Sequence, residues 1–205
     1  LRTRRQRQMC IRDSKLIHGY YACISFVDAQ IGRLVSKLKE LDLYNDAIIV
    51  FVGDHGWQLG EHNLWAKHCN FQTSLKVPLL IKCPNQTETK RIKSVVELVD
   101  IFPTLCDISN LDYPIHLQGK SLTSVNKKDN SNTIGFSTYK KGTTITTSNY
   151  SYTKWQNDNN ELIGQMLFDL KRDKDENISI AIDSTYKQLI NSFSKNIDSI
   201  NEVSL

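Results

Sequence analysis

The sequence predicts an α/β protein: a mixed sheet flanked by helices, followed by a small antiparallel subdomain. Three observations carry this. Apolar residues at helical spacing between Lys15 and Leu43 lead straight into a dense β-branched run, Ala47 to Asp54, and a second such run spans Val77 to Cys83. Beyond a polar stretch at residues 123–132, the composition turns to Thr, Tyr, Phe and Ile broken by turn residues. Helix followed by buried strand is the pattern of layered α/β folds, whereas short aromatic and threonine-rich runs between turns belong to antiparallel sheets.

In the first element, Ile17, Tyr20, Tyr21, Ile24, Val27, Ile31, Leu34, Val35, Leu38 and Leu41 recur every three to four residues, which predicts a long amphipathic helix. Asn45-Asp46 breaks it. AIIVFVGD then reads as a strand buried on both faces of a parallel sheet. From Asp54 to about Ser74 the chain is polar and contains glycine, and it leaves the carboxyl end of that strand, where open α/β sheets bind ligands. VPLLIKC predicts a second buried strand. VVELVDIFPTLCDI reads as helical, with Pro103 kinking it or marking the junction of two shorter helices. IGFSTY, TTITTSNYSYTKWQ and GQMLFDLK predict the antiparallel sheet, and Ser184 to Ile197 a closing helix. The domain organisation expected is residues 1–14 as a non-native segment, 15–125 as part of an α/β domain, and 126–205 as the antiparallel subdomain with its helix.

The net charge of +4 does not describe the whole surface, because Arg2, Arg4, Arg5, Arg7 and Arg12, set against Asp13, account for all of it. The balanced remainder gives no support to nucleic-acid binding. The first fourteen residues show no periodicity and no apolar core of a signal peptide, so a native N-terminus with its targeting information is expected to lie elsewhere. Five widely spaced cysteines form no C-x-x-C pair, which argues against a zinc site or disulfide framework. The apolar runs fall far short of the roughly 20 residues a membrane helix needs.

Chemistry concentrates in Gly53-Asp54-His55-Gly56-Trp57-Gln58-Leu59-Gly60-Glu61-His62-Asn63-Leu64-Trp65-Ala66-Lys67. Asp54 at a strand end offers a hard anionic oxygen to a divalent cation, and His55 beside it can supply a nitrogen or polarise a ligand. Gly56 and Gly60 allow the backbone to turn tightly. Lys67 is a cation able to neutralise an oxyanion such as sulfate or phosphate. Other polar groups have structural readings: Asp28 as an exposed or capping residue, Glu61 and His62 as neighbours that point apart, Tyr150, Tyr152 and Trp155 as sheet packing. Asp169, Asp173, Asp175 and Glu176 read as a turn that misses the EF-hand spacing.

AIIVFVGDHGWQLGEHNLWAKHCNF resembles the metal-binding segment of sulfatases in the alkaline-phosphatase-like superfamily, those of the iduronate-2-sulfatase type above all. The likeness continues through YYACISFVDAQIGRLVSKLKELDLYNDAIIVF, KVPLLIKCP, VELVDIFPTLCDISNL, QGKSL and LFDLKRDKDENISIA, nearly all of residues 16–182. The resemblance implies an alkaline-phosphatase-like fold, of which this chain is a C-terminal portion. It further implies that Asp54 and His55 bind a calcium ion and that Lys67 contacts the substrate sulfate. Trp57 and His62 sit in the same loop, where each has two readings: lining the substrate pocket, or a packed or solvent-facing structural role. The substrate would be a sulfated carbohydrate of the glycosaminoglycan kind, and the setting periplasmic, secreted or lysosomal. Family catalysis uses a formylglycine made from Cys or Ser in Cys/Ser-x-Pro-x-Arg, and this sequence contains no such motif. The chain alone is therefore expected to be inactive. Two alternatives stay open: a phosphodiesterase or phosphonate hydrolase of the same superfamily, and a non-catalytic chain that holds anions or metal. Asn85-Gln86-Thr87, Asn149-Tyr150-Ser151 and Asn177-Ile178-Ser179 are glycosylation acceptors in a eukaryotic secretory setting.

Overall fold

The computed structural model describes residues 2–123 and 133–203, which divide into two compact units. The first comprises residues 1–67 and 76–89, and the second residues 68–75 and 90–205. The division falls elsewhere than the expected boundary near residue 126, because residues 68–75 and the segment from residue 90 are bonded into the antiparallel sheet. Of the polar stretch at residues 123–132, all but Thr123 lies outside the described residues.

In the first unit, α1 runs from Arg2 to Glu40. Residues 2–14, read from the sequence as a non-native segment, continue this helix. Arg, Gln and Met are good helix formers, and a helix propagates cheaply once nucleated. Its end is a left-handed closure: Asp42 takes φ 55°, its N–H donates to the Lys39 carbonyl at 3.1 Å, and Leu43 N–H donates to the Leu38 carbonyl at 2.9 Å. The half-buried apolar stripe consists of Ile17, Tyr20, Ile31, Val35 and Leu38, while Tyr21, Ile24, Val27 and Leu34 are exposed.

Strand β1 (Ile49–Val52) pairs with β4 (Leu79–Lys82), Ile49 opposite Lys82 and Val52 opposite Leu79. The pairing is antiparallel and the strands form a two-stranded sheet, which corrects the expectation of a parallel sheet buried on both faces. A β-branched run reports surfaces suited to burial, but it carries no information about the direction of the neighbour. Phe51 and Val52 remain 40% exposed and Leu80 60%. Between these strands the expected long loop contains a small hairpin, β2 (Gln58–Leu59) with β3 (Trp65–Ala66), Gln58 facing Ala66.

The second unit centres on a four-stranded antiparallel meander, β5 (Gly135–Tyr139), β6 (Gly142–Thr146), β7 (Tyr150–Gln156) and β8 (Leu162–Asp169), as the sequence predicts. Helix α4 (Lys187–Val203) lays Ile190, Phe193 and Ile197, spaced three and four apart, onto Ile145, Tyr152 and Leu167. Lys154, 7% exposed, is neutralised by the Asp198 carboxylate at 2.7 and 3.0 Å.

Short helix α2 (Gln72–Leu75) and the residues before it are tied to this sheet. The Asn70 amide donates to the Gly142 carbonyl at 3.0 Å and to Thr144 Oγ1 at 3.1 Å, and Gln72 N–H donates to the Glu176 carboxylate at 2.6 Å. Helix α3 (Ile101–Ile108) follows a 3-10 turn at Leu98–Asp100. Pro103 sits in its first turn, where no intrahelical N–H bond is lost, so the helix is not kinked there. Two short helical pieces do meet, at residue 101.

Candidate functional site

All the site residues read from the sequence belong to the first unit. Strand β1 delivers the chain to Gly53, whose N–H donates to the Pro78 carbonyl at 3.0 Å. A Cβ at residue 53 would come within 3.1 Å of the Pro78 ring, a tight contact that glycine avoids. Asp54 follows with its side chain 88% exposed, its Oδ1 accepting the His55 backbone N–H at 3.0 Å.

The structure brings Asp54 and His55 together: Oδ2 of the aspartate lies 3.4 Å from Nε2 of the imidazole. His55 Nδ1 lies 2.8 Å from the Gly56 carbonyl. A carbonyl can only accept, so Nδ1 carries the hydrogen of that bond. A carboxylate oxygen and an imidazole nitrogen are thereby set side by side, donor types a divalent cation takes. They are two donors. Among the described residues no group of three or more His, Cys, Asp or Glu side chains converges.

Trp57, 37% exposed, is in ring contact with His55 at 6.4 Å between centroids. On its other neighbour it stacks with Tyr20 of α1, centroids 6.1 Å apart and planes at 25°. Sequence reasoning placed Tyr20 on the apolar stripe of the helix and missed this contact, since periodicity reports which face is buried and not what covers it.

The β2–β3 hairpin decides where Lys67 and His62 lie. Because Gln58 faces Ala66, the residues flanking that pair, Trp57 and Lys67, leave the hairpin at the same end. The half-buried Lys67 thus follows the strand whose partner begins just after Asp54-His55. No carboxylate among the described residues forms an ion pair with its ammonium group. His62 occupies the opposite, turn end, in a 3-10 turn at Glu61–Asn63 with φ 54°. The hairpin separates it along the strands from Asp54 and Lys67.

That turn depends on Gly60, whose φ of 115° few other residues adopt. Gly56 makes no such demand, Gly60 being the glycine with positive φ among the described residues. The Glu61 carboxylate accepts the Leu59 N–H within the turn. Asp169 and Asp173 likewise accept backbone N–H groups, of Lys171 and Ile178, in the turn read after β8.

Comparison with known proteins gives two family matches. The sulfatase family profile matches residues 2–111, and the profile for N-sulphoglucosamine sulphohydrolase, C-terminal, matches residues 60–203. Human iduronate 2-sulfatase is 36% identical over 125 residues, covering 49% of this chain and 23% of that protein. A candidate sulfatase structure from Bacteroides fragilis superposes with TM-score 0.79 at 26% identity, covering 89% of this chain and 41% of the other. The phosphonate monoester hydrolase of Agrobacterium radiobacter superposes with TM-score 0.70 at 25% identity, over 87% of this chain and 40% of that one. The chain spans about a third or less of the length of the curated relatives it matches first. The architecture is the alkaline-phosphatase-like fold of the sulfatases.

Proposed function

The chain belongs to the sulfatase family, and from that premise we propose that it forms part of a sulfuric ester hydrolase acting on a sulfated carbohydrate, of the iduronate-2-sulfatase type. The observation that carries the reading is the Asp54–His55 pair at the end of β1, 3.4 Å apart, with Lys67 leaving the adjoining hairpin on the Trp57 side. The names of the matched relatives, an iduronate sulfatase and a glucosamine sulphohydrolase, support a sugar sulfate as substrate.

In this reading Asp54 and His55 hold a calcium ion, whose bound charge would offset the negative charge developing on the sulfate. Asp54 contributes the hard anionic oxygen. His55 contributes Nε2, with Nδ1 bonded to the Gly56 carbonyl. Lys67 meets a sulfate oxygen as an unpaired cation, and Trp57 and His62 border the sugar, His62 from the hairpin tip. The 205 residues hold no Cys/Ser-x-Pro-x-Arg segment, so the nucleophile and the remaining metal ligands are assigned to polypeptide outside them. The apolar side chains exposed on α1, β1 and β4 support a place within a larger domain, for which they are suited as buried contacts.

The test is turnover of a sulfated iduronate substrate by the full-length protein. Lys67→Ala should lower kcat/KM by on the order of a hundredfold, the usual cost of one oxyanion-stabilising group. Asp54→Ala should abolish calcium-dependent activity and weaken calcium binding in calorimetry. Unchanged turnover in Lys67→Ala would make it a surface lysine. The likeness to a phosphonate monoester hydrolase favours one other reading, in which the same site takes a phosphonate or phosphate ester. A higher kcat/KM for phenylphosphonate esters than for sulfate esters would establish that alternative.

A further inference from the structure

We infer that Tyr20 is a positioning residue for the Asp54–His55 pair, acting through Trp57; the inference rests on the reading of that pair as metal ligands. Residues 53–57 lie between β1 and β2 without regular secondary structure. Two of the bonds that shape the turn join adjacent residues: Asp54 Oδ1 with the His55 N–H at 3.0 Å, and His55 Nδ1 with the Gly56 carbonyl at 2.8 Å. Such bonds fix local conformation but cannot fix where the turn stands relative to the rest of its unit.

A line of three rings supplies that. Tyr20 of α1 stacks on Trp57 with centroids 6.1 Å apart and planes at 25°, and Trp57 meets His55 at 6.4 Å and 31°. Tyr21 closes on Tyr20 edge-on, with centroids 6.2 Å apart and planes at 77°, which restricts the Tyr20 ring. The base of this column is well defined, because Tyr20 lies on the half-buried stripe of a helix of 39 residues. Offset-stacked rings slide little without losing contact area, so a ring held on α1 limits the excursions of Trp57 and, through it, of the imidazole. Positioning groups behind metal ligands matter because a ligand held in place pays less ordering cost on binding.

Two variants of the 205-residue chain separate stacking from bulk. Tyr20→Leu keeps an apolar residue with high helix propensity but removes the ring, whereas Tyr20→Phe keeps the ring. In the metal-free chain, Tyr20→Leu should shift the His55 ring-proton resonances toward those of an unstructured histidine and speed amide exchange at residues 55–57 severalfold. Tyr20→Phe should match the parent, and amides of the paired strands β1 and β4, in the same unit as Tyr20, should be unaffected in both, which reports intact folding of that unit. Titration with terbium, sensitised by the tryptophans, adds a binding readout, with Tyr20→Leu expected to weaken terbium roughly tenfold or more and Tyr20→Phe to restore it. Unaltered His55 resonances in Tyr20→Leu, or equal effects of the two substitutions, would overturn the inference. If Asp54→Ala leaves terbium binding as it was, the metal reading fails, and the His55 resonances still decide for or against Tyr20.

Discussion

Ala66, the residue just before Lys67, adopts φ 73°, a left-handed conformation that costs an L-residue roughly 1–2 kcal/mol. His62 at 54° and Asn63 at 59° precede it in the same hairpin, so the segment leading to Lys67 departs repeatedly from ordinary backbone. Asparagine accepts that region readily, while alanine has no side-chain bond to compensate it. Ala66→Gly should therefore leave amide protection of the β2–β3 hairpin unchanged or raised, the relief of strain offsetting glycine's greater freedom when unfolded. Ala66→Val, branched at Cβ, should lower it. Hydrogen exchange at Leu59 and Trp65 checks both, and protection that rises in Ala66→Val would show that the backbone at residue 66 bears no strain. The place of Asp54 and His55 just after a strand could be read from the sequence because a strand end is a local signal. The strain at Ala66 and the Tyr20 stack could not, since each depends on where the chain has already gone.

At the scale of elements, α4 is held by side chains whose loss can be measured. Phe193, 6% exposed, stacks on Tyr152 with centroids 5.9 Å apart, within the cluster that includes Ile145, Leu167, Ile190 and Ile197. Phe193→Ala should destabilise the second unit by about 3–5 kcal/mol in denaturant titration, the range for emptying a buried aromatic site. A loss below about 1 kcal/mol would mean that α4 is not packed as described. The start of α3 carries a pH effect. Burial, foremost, raises the Glu97 carboxyl above its ordinary pKa, with the nearby Asp100 carboxylate adding to it, while the Phe136 N–H bond and Lys120 oppose. A carboxyl raised in the folded state contributes stability that is full below its unfolded pKa and lost as pH rises through the folded one. Glu97→Gln should thus gain on the parent as pH climbs from 4 toward neutrality and show no such gain at lower pH, as followed by urea midpoints. The antiparallel sheet and α4 were legible because their alternation and helical spacing run over many residues. The hairpin was not, for two-residue strands are too short to show a period. The attachment of residues 68–75 to the sheet rests on Asn70 and Gln72 bonding to residues more than 70 positions away, which no local pattern encodes.

For the molecule as a whole, the distribution of burial between the units sets its behaviour. Each fully buried hydrophobic residue described, from Cys69 and Cys106 to Ile197, belongs to the second unit. Both units leave apolar side chains exposed, but the first has no fully buried hydrophobic residue among those described to set against Phe26, Leu34 and Leu80 at 60% exposure or more and Phe51 and Val52 of the β1–β4 sheet at 40%. Since apolar burial contributes about 25 cal/mol per Å² to stability, a unit that keeps such side chains in water draws little from its core. The 205-residue chain should therefore not unfold in one step. Native-state hydrogen exchange should find β6 to β8 and α4 opening together at high free energy, with β1 and β4 exchanging through openings several kcal/mol cheaper. A single shared opening energy across both units would contradict this. The same contrast bears on the proposed activity, because Asp54 and His55 stand on the less stable unit. Joining the chain to the rest of a sulfatase domain should slow exchange in β1 and β4 far more than in β6 to β8. If protection in β1 stayed low in the full-length protein, the exposed faces of α1, β1 and β4 would not be the surfaces the larger domain covers, and the proposed calcium site at Asp54 would gain no rigidity from them.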